Sequence, residues 1–253
     1  MKYTVLDNSE HRDLRRKRGT LFYLKEQATT SLSVVEAPRA ALDLPLAFGR
    51  DGEGRLQLLA LLSLGAGDNV QIGPMGLWLG GYIPAVIRTH PFLLSFRDDR
   101  PVVMVAEESD WLSTSEGRPL FGPLGGPTKL LNKITRLLRT RCPNPTRDTP
   151  ILELIDRSGI LSDWSALAVP NLMRVDPQKL ADLDNEIFTG LRRHEALAVI
   201  YAQLFSIPRL NRLKTLARRK EKMAERQLNA KGVPADLGLI FDDDDDLIKF
   251  DFD

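Results

Sequence analysis

The stretch TKLLNKITRLLRTR, residues 128–141, decides the fold, because the hydrophobic pattern of the chain changes there. In it, apolar residues recur every three or four positions, and lysines and arginines lie between them. This period is typical of an amphipathic helix that packs one face on a core. The apolar stripe consists of Leu130, Leu131, Ile134, Leu137 and Leu138. The prolines of Cys142-Pro143-Asn144-Pro145 are expected to end this helix.

Short apolar runs bounded by glycine, proline and aspartate precede the helix, at residues 32–35, 56–64 and 102–106. Runs of that length indicate strands. Asp51-Gly52-Glu53-Gly54 lies between the apolar residues 44–48 and 56–64, and its glycines can adopt positive φ. We therefore expect an antiparallel hairpin there.

Further helices are expected after residue 145. Thr149-Pro150 has the residues of a helix start, and Gly159 is expected to end that helix. Asp176-Pro177 repeats the start signal, and residues 188–207 form a broadly apolar helix that Pro208 breaks or kinks. In that helix the residues expected to face inward are Leu191, Ala198, Tyr201 and Phe205.

These patterns together predict an α+β fold. A β-rich region with antiparallel hairpins covers residues 1–127, and a helical region over 128–230 packs on it, so that the two form one compact domain. Residues 231–253 form an acidic tail that we expect to be disordered when free, because five consecutive aspartates repel one another.

Composition excludes several classes of protein. The chain has 253 residues, 43% of them apolar, which suffices for a core without disulfides. Its single cysteine, Cys142, excludes an internal disulfide framework and a zinc site built on paired cysteines. The longest apolar stretches, 56–64 and 196–207, are shorter than the roughly 18 residues that indicate a membrane span. The opening residues lack the features of a secretory signal, so we expect a cytoplasmic protein.

Charge is segregated along the chain although the net charge is only +1. A basic amphipathic segment covers residues 209–227, and the tail carries the run Asp242 to Asp246. The small net charge argues against nucleic-acid binding over the whole surface. The basic segment, together with Arg15 to Arg18, could bind phosphate, an anionic membrane face or nucleic acid. The competing partner, which we expect, is the acidic tail, within one chain or between copies as a homo-oligomer.

Residues 82–92 are the best candidate for a binding site. Aromatic rings, a cation and an imidazole lie close together there, which is the composition of a pocket wall. The candidate ligand-binding residues are Tyr82, Arg88, His90 and Phe92. The alternative is that Tyr82, Pro84 and Phe92 are core anchors and that Arg88 pairs with an acidic side chain.

Other chemistry has weaker support in the sequence. His11 and Asp13 have the spacing of half an iron facial triad, which His90 or His194 could complete, but a charged surface turn is the expected role of this segment. No nucleotide-binding glycine motif is present, and Cys142 is expected to lie at a helix end rather than act as a nucleophile. Adjacent Glu107 and Glu108 are expected to be solvated. We therefore expect no metal and no cofactor.

Four segments of the chain are distinctive as a set: Tyr3-Thr4-Val5-Leu6-Asp7-Asn8 with His11, Tyr82-Ile83-Pro84-Ala85-Val86-Ile87-Arg88-Thr89-His90-Pro91-Phe92, Pro119-Leu120-Phe121, and Leu197-Ala198-Val199-Ile200-Tyr201-Ala202-Gln203-Leu204. Together they resemble the bacterial SapC-like family. The resemblance covers roughly residues 3–213, and the segment 82–92 is its most specific part.

The resemblance implies a bacterial protein whose family name is linked to surface-layer formation, with no catalytic motif to transfer. Family members are often encoded near TonB-dependent receptors, flavin-dependent halogenases and cupin-type proteins, which implies an accessory role. We expect a non-enzymatic protein that binds a peptide, a small ligand or a protein partner through residues 82–92. The alternatives are a metal-dependent oxygenase and a surface-layer or scaffold component.

Overall fold

Strands dominate the first half of the chain and helices the second, as the change of hydrophobic period predicts. The computed structural model describes residues 2–65, 67–97 and 100–230. The predicted acidic tail, 231–253, therefore lies outside the described residues.

The strands are β1 (Tyr3–Val5), β2 (Arg15–Arg16), β3 (Thr29–Leu32), β4 (Leu46–Arg50), β5 (Leu56–Leu61), β6 (Phe92–Arg97), β7 (Arg100–Ala106), β8 (Leu112–Ser113), β9 (Arg118–Pro119), β10 (Leu161–Asp163) and β11 (Met173–Val175). The helices are α1 (Ala37–Ala40), α2 (Ala85–Arg88), α3 (Lys129–Arg141), α4 (Pro145–Arg157), α5 (Pro177–Ala181), α6 (Asn185–Arg193), α7 (Ala196–Ser206) and α8 (Leu210–Ala230).

The strands form three sheets. The largest has the order β10-β11-β4-β5-β3, and the two smaller ones have the orders β1-β7-β6 and β8-β2-β9. Along β5 the side chains alternate: Leu58 and Ala60 belong to the main core, which α4, α6 and α7 cover, whereas Leu61 belongs to a second cluster with Leu213 of α8. A third cluster packs α3 on β6 and β7.

The predicted hairpin is confirmed. Phe48 of β4 pairs with Leu58 of β5, and the connecting turn contains Gly54 at φ +79°. The Asp51 carboxylate accepts the backbone N–H groups of Glu53 and Arg55, both at 2.9 Å. This side chain closes the turn because aspartate readily bonds backbone groups two residues further on.

The first helix, α3, lies where its period predicts, with Thr128 as N-cap. The predicted start of the next helix at Thr149 is wrong. That helix, α4, begins at Pro145, and the Asn144 side chain accepts the N–H of Thr146 at 3.1 Å. The same combination of a capping side chain and a proline thus occurs five residues earlier, and Pro150 lies inside the helix.

The single helix predicted over 188–207 is wrong, because Glu195, at φ +60°, separates α6 from α7. Leu191 is buried as expected, but Ala198, Tyr201 and Phe205 are exposed, so their predicted inward orientation is also wrong. The residues of α7 that face inward are Ala196, Val199, Ile200, Ala202, Gln203 and Ser206.

Gln203 explains this orientation of α7. Its side-chain oxygen accepts the N–H of Val175 at 3.0 Å, and its amide group donates to the carbonyl of Leu46 at 3.1 Å. A buried glutamine is stable only when such bonds are made, so α7 turns its polar residue toward the backbone of β11 and β4.

Two smaller differences concern short segments. The strand predicted over 32–35 ends at Leu32, because Ser33 caps a 3-10 helix over Val34–Glu36. Two strands, β10 and β11, lie within the predominantly helical region and extend the main sheet.

Pro208 lies in a 3-10 turn, Ile207–Arg209, that joins α7 to α8. No helix among the described residues has both the length and the apolar character needed to cross a bilayer.

Candidate functional site

The segment 82–92 surrounds one buried carboxylic acid, Glu36, whose side chain is fully enclosed. The hydroxyl of Tyr82 donates to Glu36 Oε1 at 2.5 Å, and the backbone N–H of Ala85, the first residue of α2, donates to the same oxygen at 2.8 Å. The other oxygen, Oε2, has no hydrogen-bond partner. Glu36 therefore links the loop that leads into α2 to the core.

Arg88, at the end of α2, is the cation nearest to this acid. Its Nη2 lies 3.8 Å from Glu36 Oε1, and 34% of its side chain is exposed. Its guanidinium lies over the ring of Tyr82, 5.6 Å from the ring centre, and its Nε–H has no hydrogen-bond partner. The contact with Glu36 is longer than a charge-assisted hydrogen bond, so Arg88 is only weakly paired.

Burial controls the ionisation of this group. Desolvation raises the pKa of Glu36, and the bond from the Tyr82 hydroxyl only partly opposes that effect. The pKa of Tyr82 is also raised, first by burial and then by the negative charge of Glu36. The unpartnered Oε2 is the atom at which Glu36 would hold a proton. A protonated Glu36 would leave the charge of Arg88 uncompensated.

His90 and Phe92 lie on the inner side of this segment. Phe92 is 3% exposed and belongs to the core that α3 covers. His90 is 6% exposed, its ring stacks on Tyr23 with centroids 4.0 Å apart, and its Nε2 lies 3.3 Å from Ser109 Oγ. Burial, assisted by the positive charge of Arg16, lowers the pKa of His90 to about 4. Of the four predicted site residues, the structure brings Tyr82 and Arg88 together, both half-buried and with Tyr82 packed against the main core, and it buries the other two.

Neighbouring side chains hold this segment in place. Arg16, one of the residues expected to form a basic surface, donates at 2.9 Å to the carbonyls of both Arg88 and His90. Asp43 accepts the backbone N–H of Tyr82 at 2.6 Å. Sequence reasoning missed Glu36 and Asp43, and its only available signal was the presence of these two carboxylates within the mostly apolar run 32–47.

A second buried network includes Ser33, which precedes Glu36 in the sequence. Asp148, 5% exposed, accepts from Ser33 Oγ at 3.0 Å and from Arg147 Nε at 2.8 Å. Arg147 also donates to the carbonyl of Cys142 at 2.8 Å. The backbone N–H of Asn144 donates to the other oxygen of Asp148 at 3.0 Å, so both oxygens of this acid are hydrogen-bonded, and we assign this network a structural role.

Cys142 lies at the end of α3, as expected. Its sulfur is 3.6 Å from Thr89 Oγ1, and burial raises the pKa of its thiol to about 11. A nucleophilic cysteine needs a lowered pKa, so the thiol is in the wrong state for that chemistry near neutral pH.

Among the described residues, one group of potential metal ligands lies close together. Asp7, Glu10 and His11 form the group whose potential ligand atoms lie within 4.8 Å of one another. The facial triad considered from the sequence, His11 and Asp13 with His90 or His194, is not brought together. Nδ1 of His11 is instead 3.2–3.3 Å from backbone atoms of Asp7, as in a local turn.

Comparisons with known proteins give a family and no relative of known activity. Neither the curated proteins nor the solved structures include a match to this chain. The family model described as SapC matches residues 6–213, a range that includes Glu36, Tyr82 and Arg88. The chain therefore belongs to the SapC family.

Proposed function

We propose that this protein is a non-enzymatic accessory protein that binds a carboxylate-bearing ligand, either a peptide or a small acid, at Arg88 and Tyr82. The observation that carries the proposal is the state of Arg88. Its guanidinium is partly exposed and lies 3.8 Å from a buried acid whose pKa is raised. A carboxylate from outside would give this cation the close, charge-assisted pair that Glu36 does not provide.

The site is also rigid before any ligand arrives. Tyr82 is held at both ends, by its N–H to Asp43 and by its hydroxyl to Glu36. Arg16 fixes the backbone at the end of α2 through the carbonyls of Arg88 and His90. A preorganised site loses less conformational entropy on binding, so even one carboxylate contact can contribute useful affinity.

Two observations favour binding over catalysis. The thiol of Cys142 has a raised pKa, and His90 is buried against Tyr23 and Ser109. The oxygenase alternative required His11 and Asp13 to converge with a second histidine, and the described residues do not have that geometry. The surface-layer or scaffold alternative stays a prediction.

The biological setting belongs to the same proposal. A protein or peptide partner with a free carboxylate would suit an accessory step linked to uptake or ligand modification. The single, buried cysteine agrees with a cytoplasmic location, where thiols stay reduced.

The proposal can be tested with defined probes. Pools of N-acetylated tripeptides with a free C-terminal carboxylate are titrated into isotope-labelled protein, and matched pools with C-terminal amides serve as the chemical control. We expect the acid pool to shift the backbone amide signals of Ala85–Arg88. Arg88→Gln should weaken binding by roughly 10- to 100-fold, the effect of losing a charge-assisted pair worth about 1.5–3 kcal/mol.

Arg118→Gln is the matched control, because Arg118 is an exposed residue of β9 and its substitution changes the net charge by the same amount. It should leave binding unchanged. Equal binding by the Arg88→Gln variant, or equal shifts with acid and amide pools, would show the proposal to be wrong.

A further inference from the structure

The edge strand β3 is shorter than its neighbour β5, and this leaves a gap in the main sheet. β3 ends at Leu32, which pairs with Leu58 of β5. β5 begins two residues earlier, at Leu56, and among the described strands this end of it pairs with β4 alone. After Leu32 the chain leaves the sheet, because Ser33 caps a 3-10 helix. We call the gap beside Leu56 the notch.

The backbone groups of Leu56 point toward the notch. Successive residues of a strand direct their N–H and C=O groups to opposite sides. The N–H of Leu61 donates to the carbonyl of Pro45 on the β4 side, at 2.9 Å. The N–H of Leu62 donates to the carbonyl of Ala28 on the β3 side, at 2.8 Å. Leu56 lies an even number of residues from Leu62, so its N–H and C=O also point to the β3 side.

These two groups of Leu56 have no hydrogen-bond partner among the residues that the structure describes, although the residue is only 7% exposed. Buried backbone groups are nearly always paired in folded proteins. The sheet edge at Leu56 is therefore incomplete in the chain as it stands.

A groove of about 460 Å³ lies at the notch, between the sheet and α4. It is lined by the end of β3, by the start of β5, and by α4 with the loop before it. The apolar residues of its lining are Leu32, Leu56, Leu58, Pro143, Pro145 and Leu152. A groove of this size falls in the range that binds small ligands, so it can hold a few residues of an extended chain.

The charged side chains around the groove are already paired with one another or with nearby arginines. Each of its four carboxylates has an arginine nitrogen at 2.8–2.9 Å: Asp51 pairs with Arg55, Asp148 with Arg147, Glu153 with Arg157, and Asp156 with Arg50. The two arginines of the lining, Arg55 and Arg157, belong to these pairs. The groove therefore favours an uncharged occupant.

The chain cannot complete the notch by extending β3. Ser33, the next residue, is fully buried, and its Oγ donates to Asp148 at 3.0 Å and accepts from Arg147 at 2.6 Å. Continuing the strand past Leu32 would break both bonds. The missing strand must come from another polypeptide.

We infer that the notch binds an extended, uncharged segment of a partner protein as an additional strand beside Leu56. One residue of an antiparallel segment can accept the N–H of Leu56 and donate to its carbonyl, as strand addition to a sheet edge requires. The side chain of that residue lies on the same face as Leu56, which belongs with Leu152 to the main core, so it should be apolar. This site does not use Arg88 or Tyr82, and it goes beyond the proposed carboxylate site.

A defined peptide tests the inference on the full-length protein. The probe is a tripeptide of threonine, valine and threonine, N-acetylated and C-amidated so that it has no charge. It is titrated into isotope-labelled protein, and the amide signals are followed. We expect a saturable downfield shift of the Leu56 amide proton, with half-saturation at or below about 5 mM, the affinity of a weak contact.

The chemical control is the same peptide with an N-methyl group on its valine. It cannot donate to the carbonyl of Leu56, so it should bind at least about tenfold more weakly. Thr149→Trp places a large side chain in the groove from α4 and should abolish binding. Thr146→Trp is its matched control, because Thr146 is exposed on the same helix and does not line the groove.

The comparison of the two peptides uses the unaltered protein, so it decides the question even if Thr149→Trp does not fold. Equal binding of the methylated and unmethylated peptides, or no saturable shift of Leu56 up to that concentration, would overturn the inference. Arg88→Gln should not change the binding of this uncharged probe. Loss of binding in that variant would place the peptide at the carboxylate site instead and would also overturn the inference.

Discussion

Removing one hydroxyl, by Tyr82→Phe, should destabilise the protein by an amount that depends on pH. The variant keeps the ring that lies beneath Arg88 and removes the 2.5 Å hydrogen bond to the fully buried Glu36. The remaining contacts of that carboxyl are then the N–H of Ala85 and the more distant Arg88. A buried acceptor that loses a donor costs more when it is charged than when it is neutral.

The direction of the pH effect follows from the pKa of Glu36. That pKa is raised in the folded protein, from an ordinary value of 4.5, so the unfolded chain ionises first. The folded state therefore loses stability as the pH rises from 4.5 through the folded-state pKa, and it has no such penalty at lower pH. The Tyr82 hydroxyl lowers this pKa, so its removal raises the pKa further and increases the penalty at high pH.

The expected cost is about 1 kcal/mol for a protonated Glu36 and about 2–3 kcal/mol for an ionised one, so the loss at pH 8 should exceed the loss at a lower pH. Urea unfolding at the two pH values measures both losses. Tyr201→Phe is the control, because that tyrosine is exposed, and it should change neither value. In a Glu36→Gln background the pH difference should disappear. An equal loss at both pH values, or no loss, would refute this account of Glu36.

Three further predictions concern the ionisation of His90, the reactivity of Cys142 and the turn at Gly54. The ring signals of His90 should not titrate between pH 8 and pH 5, because burial lowers its pKa to about 4. The stability that the neutral imidazole contributes should be lost as the pH falls from 6.5 through 4. A normal titration would contradict the burial of His90. Cys142 should react with a thiol reagent at pH 8 only as fast as the protein unfolds, since burial raises its pKa to about 11, and an immediate reaction would show an accessible thiol. Gly54→Ala should lower the free energy of unfolding by about 1–2 kcal/mol, because the φ of Gly54 is +79°. Gly52→Ala is the control and should lower the free energy of unfolding by less, because Gly52 does not have a positive φ. Equal effects of the two variants would argue against the observed turn.

The sequence predicts elements whose signals are local. The period of residues 128–141 identifies α3, and the two-glycine turn identifies the hairpin of β4 and β5. Both follow from residues that are neighbours in the chain. The start of α4 was misplaced because Asn144-Pro145 and Thr149-Pro150 carry equivalent signals, and only the structure shows which of them caps the helix.

The face of α7 could not be predicted because nearly all of its residues are apolar. In such a helix the hydrophobic period is weak, and the orientation is decided by Gln203, which bonds to strands more than 25 residues away. The exposure of Tyr201 and Phe205 follows from that orientation. A polar residue within an apolar helix is thus the informative signal.

The candidate site was found only in part for a similar reason. Tyr82 and Arg88 were identified by their composition, but the acid that organises them, Glu36, lies 46 residues earlier in the chain. Contacts over such distances leave no periodic pattern in one sequence. His90 and Phe92 are polar or aromatic residues within the same short segment, and composition alone does not separate these two buried residues from the two that are half-buried.

The central claim, that Arg88 is the group that binds a carboxylate, is tested most directly by following its own side chain. In protein with isotope-labelled arginine, the Nε–H signal of Arg88 can be assigned by its absence from the Arg88→Lys variant. This N–H has no hydrogen-bond partner in the structure. We predict that the acid tripeptide pool shifts the signal in a saturable way and that the amide pool does not. A signal that stays fixed in the acid pool, or that moves equally with both pools, would contradict the claim.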